Sequence, residues 1–186
     1  SFVDTAKNNV GWWISAMTTP YGTTYFDAGV TNRNRWLEIT EPDGAKERIE
    51  YAETDNVGIS FSEPYALVPG GMPTWNRYLY GRNVYHWDKK AFAEGYNMGG
   101  ITLLFNSTND YTKARIYHFT HGQDINAAEG LLESVKMPLE NRVWFNYPNQ
   151  NLPTVPGTDD RPSKIGRVLD DGTTQLQQFE YNALGN

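Results

Sequence analysis

Two histidines, several acidic pairs and a run of aromatic residues are the side chains of this sequence that could do chemistry. His118 and His121 stand three residues apart in a strand-like run, which puts their rings on opposite faces of a strand. The chain has no cysteine and one further histidine, His86, so a zinc-type ligand set is disfavoured. The pattern favours a polar strand end, and we predict no metal site and no cofactor.

The carboxylates do not form the facing pair that a glycosidase needs. Such an enzyme holds two carboxyl groups roughly 5–10 Å apart across a cleft. Asp43 and Asp171 stand in turn sequences, where an aspartate has a structural use. Glu38 and Glu50 alternate with apolar residues, as they would on the exposed face of a strand. We therefore predict that the chain is not an enzyme.

An aromatic-rich loop at residues 75–96 is the strongest candidate for a binding surface. Its predicted ligand-binding residues, for a carbohydrate, are Trp75, Tyr78, Tyr80, Tyr85 and Trp87. Aromatic rings on an irregular loop can stack on sugars, with Arg77 and Arg82 as hydrogen-bond donors. The same rings can instead pack the loop onto a sheet, so core packing is the alternative interpretation.

Composition and charge exclude several classes of partner. The formal net charge is −6, and the basic residues are dispersed along the chain. This disfavours a nucleic-acid partner and electrostatic docking on anionic membranes. The longest apolar stretch, ITLLF at residues 101–105, is far shorter than the ~18 residues of a membrane span. We therefore predict no nucleic-acid partner and no membrane span.

The elements that must position these side chains read as β-hairpins. Short β-type runs are joined by turn sequences at residues 20–22, 42–44, 138–141 and 170–172. Three of the units close on a tyrosine, at Tyr51, Tyr147 and Tyr181. This regularity indicates an internal repeat that is degenerate in sequence.

The sequence of the second hairpin predicts which residues pair across its two strands. The turn at residues 42–44 fits a three-residue hairpin loop that ends in a glycine at positive φ. Counting outward from it sets Glu38 against Arg48. One step further sets Leu37 against Ile49, on the opposite face. A register shifted by one residue would lose both pairs, so the charged and the apolar pair favour the same alignment.

Two segments break the hairpin pattern, at about residues 54–109 and 148–163. Both are rich in glycine, proline and loop-forming polar residues, and we predict irregular loops there. Within the first, the sequence predicts a short helical turn around Lys89–Glu94, with Asp88 as its N-cap and Gly95 as its stop.

The last six residues, YNALGN, resemble the Tyr-Asp-x-x-Gly-Arg core of the YD repeat in RHS-repeat proteins. Tyr181, Asn182 and Gly185 carry this match, although Asn182 stands where the motif favours Asp and Asn186 where it favours Arg. The runs at residues 18–26, 34–51, 110–119, 132–150 and 161–186 resemble the same family. The structural residues of the repeat are then Tyr181, Asn182, Gly185, Asp43, Gly44, Asp171 and Gly172.

The resemblance implies a sheet wall of a large bacterial protein that is secreted or displayed on the cell surface. In such proteins a continuous β-sheet spirals into a hollow shell that encloses a toxin or other cargo. No residues match the autocleavage site of toxin-bearing members, so the resemblance implies no catalytic residue here.

We therefore expect a mostly β fold over residues 1–186. It should consist of consecutive antiparallel hairpins in an extended, twisted sheet, as one segment of a longer chain. Its partners would be flanking repeats or other copies, joined through the sheet edges. The leading functional hypothesis is a structural role in a shell or filament, and the alternative is a carbohydrate-binding module that uses the loop at residues 75–96.

Overall fold

The computed structural model describes residues 2–7, 11–31, 34–52, 59–96, 111–122, 124–152, 155 and 157–182. The strands are β1 (Phe2–Lys7), β2 (Gly11–Thr19), β3 (Gly22–Thr31), β4 (Asn34–Thr40), β5 (Lys46–Ala52), β6 (Asn83–Trp87), β7 (Arg115–His121), β8 (Ala128–Lys136), β9 (Val143–Asn146), β10 (Lys164–Val168) and β11 (Thr174–Gln178). One α-helix, α1 (Lys89–Tyr96), and a single 3₁₀ turn at Tyr65–Leu67 complete the described elements.

All eleven strands form one open sheet in which the order of the strands is their order along the chain. Each strand pairs antiparallel with the next, from β1–β2 at one edge to β10–β11 at the other. The prediction of a mostly β fold of consecutive antiparallel hairpins in an extended sheet is confirmed.

The register predicted for the β4–β5 hairpin is also confirmed. Glu38 pairs with Arg48, and Leu37 pairs with Ile49. The two charged residues form an ion pair, in which Glu38 Oε2 lies 3.6 Å from Arg48 Nη1. Glu38 Oε1 lies 2.7 Å from Lys46 Nζ. Turn chemistry and side-chain alternation therefore fix this alignment together.

Two of the hairpin turns, at residues 41–45 and 169–173, are the same structure. In each, the first residue donates its N–H to the carbonyl of the fifth at 2.8 Å, and the glycine donates to the carbonyl of the first at 2.9 Å. The aspartate Oδ1 accepts the N–H two residues later at 2.9 Å in both turns. Gly44 and Gly172 have φ of 84° and 82°, a region in which L side chains are strained.

Gly44→Ala and Gly172→Ala are each expected to lower the free energy of unfolding by about 1–2 kcal/mol. The cause is backbone strain alone, since a Cβ at either position meets no atom within 4 Å. Gly44→Asn should lose less, because asparagine tolerates this region better. The control is Gly70→Ala, where φ is outside that region and the Cβ would lie 3.9 Å from Thr174 Oγ1. Urea unfolding that showed equal losses at Gly70 and Gly44 would contradict the strain argument.

The prediction of one irregular loop over residues 54–109 is wrong for residues 83–87, and its parts at residues 54–58 and 97–109 lie outside the described residues. Strand β6 lies there and joins β5 to β7 through ladders on both sides. The short helix is confirmed, with Ala91 N–H donating to Asp88 Oδ1 at 2.9 Å as an N-cap should, but it ends at Tyr96 rather than at Gly95. The loop prediction for residues 148–163 holds, since the described residues of that range contain no strand or helix.

The sheet has one covered face. Strands β6, β7, β9 and β10 alternate buried with partly exposed residues, as expected when only one face is packed. The cover consists of α1, through Phe92, and of residues 59–82, through Met72 and Leu79. Gly166 of β10 permits this close approach, because a Cβ there would lie 2.6 Å from Met72 Sδ. We call this side the covered face and the other side the open face.

Candidate functional site: the aromatic loop and a buried charged cluster

Two of the five predicted carbohydrate-binding residues belong to the core. Tyr85 and Trp87 lie on the covered face of β6 and are 0% and 1% exposed. Their ring centroids lie 4.7 Å and 5.3 Å from that of Tyr111. Neither ring offers a face to a sugar. The structure therefore corrects their assignment to core packing, which was the alternative interpretation of these aromatics.

The other predicted residues lie in the loop at residues 59–82 and are partly exposed. Tyr78 and Tyr80 have ring centroids 6.2 Å apart, and both contact Phe61, at 4.8 Å and 6.2 Å. Phe61 is 45% exposed, and its distance in sequence from the other two rings hid it from sequence reasoning. Tyr78 has φ of 56°, an uncommon conformation for an aromatic residue. We call Phe61, Tyr78 and Tyr80 the aromatic patch.

Trp75 stands apart from this patch. Its ring centroid lies 5.4 Å from that of His121, and the guanidinium of Arg77 lies 5.8 Å from it. Trp75 Nε1 and His121 Nε2 are both buried and have no hydrogen-bond partner. Trp75 thus packs the loop against the end of β7. Arg77, which was predicted as a hydrogen-bond donor to sugars, lies beside it and is exposed.

Arg82, predicted as a donor to sugars, lies instead at the centre of a buried charged cluster. It is 0% exposed. Its Nη2 lies 3.0 Å from His118 Nε2 and 3.4 Å from Glu133 Oε2. Its Nε donates to the carbonyl of Phe119 at 3.0 Å, and its Nη1 donates to the carbonyl of Ile125. These contacts leave it no route to a ligand at the surface, so its role is to hold β6, β7 and β8 together.

The hydrogen bonds of Asn83 fix the tautomer of His118. Asn83 Nδ2 donates to the carbonyl of Leu79 at 2.8 Å and to the hydroxyl of Tyr85 at 2.9 Å. Asn83 Oδ1 therefore accepts the Nδ1–H of His118, at 2.8 Å. The neutral ring then has a free lone pair on Nε2, which accepts from Arg82.

The structure corrects the interpretation of His118 as a polar strand end. The residue lies in the middle of β7 and is fully buried, whereas His121 is the last residue of that strand. Register shifts in the β7–β8 pairing alter the regular alternation, and both rings are buried. Within the described residues, no group of three His, Cys, Asp or Glu side chains could hold a metal ion.

Burial shifts the titration of this cluster. It raises the pKa of Glu133 to about 8, against the attraction of Arg82 and Arg142, which would lower it. Burial, followed by the positive charges of Arg82 and Arg142, lowers the pKa of His118 well below its ordinary value of 6.5. Desolvation thus outweighs the attraction between Arg82 and Glu133, which is the usual balance for a buried ion pair.

The stability of the protein is expected to fall as the pH rises from 7 to 8. In that interval folded Glu133 still holds much of a proton that the unfolded chain has released, so the decline is at most about 1 kcal/mol per pH unit. His118 and His121, whose pKa values burial lowers, oppose this decline only as the pH approaches 6.5, where the unfolded chain takes up protons at these rings. Urea unfolding across this interval should show the decline in the wild type and lose it in Glu133→Gln. The matched control Glu94→Gln, on an exposed face of α1, should keep it.

Two further buried polar contacts tie loops to the covered face. Arg142 Nε donates to Glu63 Oε1 at 3.0 Å and its Nη1 to Ser134 Oγ at 3.1 Å. The hydroxyl of Tyr111 donates to Glu50 Oε1 at 2.6 Å. Glu50 is 3% exposed, so its assignment to an exposed strand face is wrong. The alternation was correct, but Arg48 and Glu50 of β5 are on the side that the rest of the chain covers.

The repeat residues occupy matching places in the hairpins. The Tyr181 hydroxyl donates to the carbonyl of Pro162 at 2.9 Å, and that of Tyr147 donates to the carbonyl of Leu132 at 2.8 Å. If the strand pairing of each hairpin is continued, Pro162 faces residue 180 and Leu132 faces residue 146. In both hairpins the tyrosine is the residue that follows this position. Asn182 follows Tyr181 and is exposed, whereas Gly185 lies outside the described residues.

No protein-family model matches this chain, and no curated protein and no solved structure matches it either. The resemblance to RHS repeats therefore stays a prediction that its own residues carry. In the described residues no helix is long and apolar enough to cross a membrane.

Proposed function

We propose that this chain has a structural, non-catalytic role as a length of β-repeat wall in an RHS-type shell or an extracellular filament. The observation that carries the proposal is the strand order. Eleven strands pair in chain order, each with its sequence neighbour, so the sheet has the form of a wall that lengthens hairpin by hairpin. The setting would be a bacterial protein that is secreted or displayed on the cell surface, and a shell would enclose a toxin or other polypeptide cargo.

The repeated details support a periodic wall. The turns at residues 41–45 and 169–173 share every backbone hydrogen bond described above. Tyr147 and Tyr181 close successive hairpins through the same kind of hydroxyl-to-carbonyl bond. A sheet whose hairpins share one type of turn and one type of closing contact can be extended by further hairpins of the same kind.

The edge strand β11 supports a wall that continues by strand pairing. Its sequence, TQLQQ, contains no charged residue and no proline, and four of its five residues are exposed. Isolated edge strands commonly carry lysine, proline or a bulge that prevents pairing with another chain. The unguarded edge therefore favours a β-strand as the partner, from flanking repeats or from another copy.

The test is electron microscopy of the native material together with its mass under denaturing conditions. We expect a shell or a filament whose wall is a continuous β-sheet. A native particle that consists of one 21.2 kDa chain, with neither form of assembly, would refute the structural role. Turnover of a polysaccharide by the pure protein would refute its non-catalytic part.

A paired variant tests the edge itself. Gln177→Lys/Gln178→Lys puts two charges on β11, which should block further strand pairing and shorten or abolish the assemblies. Tyr21→Lys is the control, since Tyr21 is 92% exposed in the β2–β3 turn, far along the sheet from β11. Assemblies that were equally affected by both variants, or by neither, would contradict pairing through β11.

The second candidate function is carbohydrate binding at the aromatic patch. The specific observation is that Phe61, Tyr78 and Tyr80 pack on one another while Phe61 stays 45% exposed. Calorimetric titration with soluble glycans should then show binding that Phe61→Ala abolishes. Tyr65→Ala is the matched control, because that ring is 92% exposed. No heat with any glycan would reject this function.

A further inference from the structure

A small cavity lies on the covered face, between the loop at residues 59–82 and strands β7 and β8. Its volume is about 150 Å³. Its apolar walls are Ile59 and Leu79 of the loop and Ile116 of β7, all of them buried, whereas Ser60, which also lines it, is exposed. The cavity is therefore open to solvent on one side. An apolar cavity of this volume holds one benzene molecule, so there is room for a ligand of about six non-hydrogen atoms.

Two basic residues also line this cavity. Arg142 is 2% exposed, and Lys136 lies opposite Ile116 in the β7–β8 ladder, which puts its stem on the covered face. Lys136 Nζ donates to the carbonyl of Glu140 and has two further hydrogens to donate. Glu63 is the one acidic residue among the described residues of the lining. The lining thus has two positive charges and one negative charge, in a chain whose formal net charge is −6.

The guanidinium of Arg142 is only partly used by the protein. Its Nε donates to Glu63 Oε1 at 3.0 Å, and its Nη1 donates to Ser134 Oγ at 3.1 Å. In the described part of the chain no group accepts a hydrogen bond from its Nη2. Glu133, the other carboxyl near this arginine, is protonated at neutral pH because burial raises its pKa to about 8. A buried arginine with an unused donor at a cavity wall favours an anion there, since a charged donor without an acceptor is costly away from water.

The walls favour an organic acid over inorganic phosphate. Phosphate would place some of its oxygens against Ile59, Leu79 and Ile116, which offer no hydrogen bond. A carboxylate concentrates its charge at one end of a molecule and forms strong hydrogen bonds with a guanidinium or an ammonium group. The hydrocarbon body of the same molecule would lie against the apolar walls and remove them from water.

We propose that this cavity binds a small organic acid. Its carboxylate would lie at Arg142 and Lys136, and a hydrocarbon body of about three to five carbon atoms would lie against the three apolar walls. The site is three strands away from the edge strand β11, so this binding does not depend on the proposed wall.

The test is isothermal titration calorimetry of the full chain with butyrate and with butyramide, an uncharged molecule of similar shape. Butyrate should bind with one molecule per chain. Butyramide should bind about tenfold more weakly, because it has no charge to pair with Arg142. Glucuronate carries the same carboxylate on a polar ring and so distinguishes an acidic sugar from an apolar acid. Equal binding of butyrate and butyramide, or tighter binding of glucuronate than of butyrate, would overturn the proposal.

A pair of lysine variants locates the binding. Lys136→Met keeps a stem of similar length and removes one cation, so it should weaken butyrate binding by about tenfold. Lys136 is partly exposed, and an unchanged circular dichroism spectrum should show that the variant folds. Lys164→Met is the matched control, because Lys164 Nζ also donates to a loop carbonyl, that of Gly71, but Lys164 does not line the cavity. It should bind butyrate as the wild type does.

The outcomes of this pair separate the cavity from the rest of the surface. An unchanged affinity in Lys136→Met, or an equal loss in both variants, would overturn binding in the cavity. A wild type that gives no heat with butyrate would also overturn it. Shells or filaments seen in the native material would still support the structural role in each of these cases.

Discussion

Arg82→Met is expected to lower the free energy of unfolding by about 3–5 kcal/mol, one of the two largest effects predicted for any single substitution here, because it leaves several buried acceptors without a donor. Methionine keeps the length of the arginine stem but makes no hydrogen bond. The carbonyls of Phe119 and Ile125 and the Nε2 of His118 would lose their donor inside the sheet. Glu133, which is protonated at neutral pH, would lose its contact with Arg82 Nη2. Chemical denaturation at neutral pH measures the loss.

The matched control for this experiment is Arg161→Met. Arg161 also pairs with a carboxylate, Asp159, but on the surface, where water replaces the lost contact. It should therefore have a small effect compared with Arg82→Met. Equal effects of the two substitutions would mean that burial does not decide the strength of these pairs, and the description of the charged cluster would fail.

Trp87→Ala is expected to destabilise the protein by a similar amount, about 3–5 kcal/mol, because it removes one of the two largest fully buried side chains of the described residues. Trp87 is 1% exposed, and its ring packs on those of Tyr85 and Tyr111. The control is Tyr65→Ala, an exposed aromatic of the covering loop, which should change stability little. Thermal and urea unfolding give the comparison, and a Trp87→Ala variant as stable as Tyr65→Ala would contradict the core assignment.

This prediction also decides how carbohydrate binding has to be tested. A loss of binding in Trp87→Ala would report a loss of folding, since no sugar reaches that ring. Phe61 and Tyr78 are the residues whose truncation removes an exposed ring from the aromatic patch. The substitutions that test carbohydrate binding therefore lie in the covering loop and not in strand β6.

The hairpins could be predicted because their information is local. In β4–β5 a glycine at the turn and the alternation of charged and apolar residues fix the register within about 18 residues. The same chemistry at Asp171 and Gly172 gives the same turn. Features that depend on residues close in sequence could therefore be predicted correctly.

The features that sequence reasoning missed depend on distant parts of the chain. Glu50 is buried because Tyr111, far along the chain, donates to it. Arg82 contacts Glu133, which lies 51 residues later in the sequence, and no local pattern predicts that contact. Strand β6 was missed because glycine, proline and other loop-forming residues dominate residues 54–109, and nothing local shows that polar residues such as Asn83 are buried. Those polar groups are satisfied inside the sheet, which only the fold reveals.

The strand order described above has a consequence for how the chain forms its structure during synthesis. Each strand pairs with the next strand to leave the ribosome, and the seven pairings whose connections have six residues or fewer close short loops and form early. The covering loop is different, because the N–H of Gly70 bonds to Thr174 Oγ1, 104 residues later. The loop would therefore wait, with Met72 and Leu79 exposed, until β9 and β10 arrive, and this interval is when the nascent chain most needs protection from aggregation.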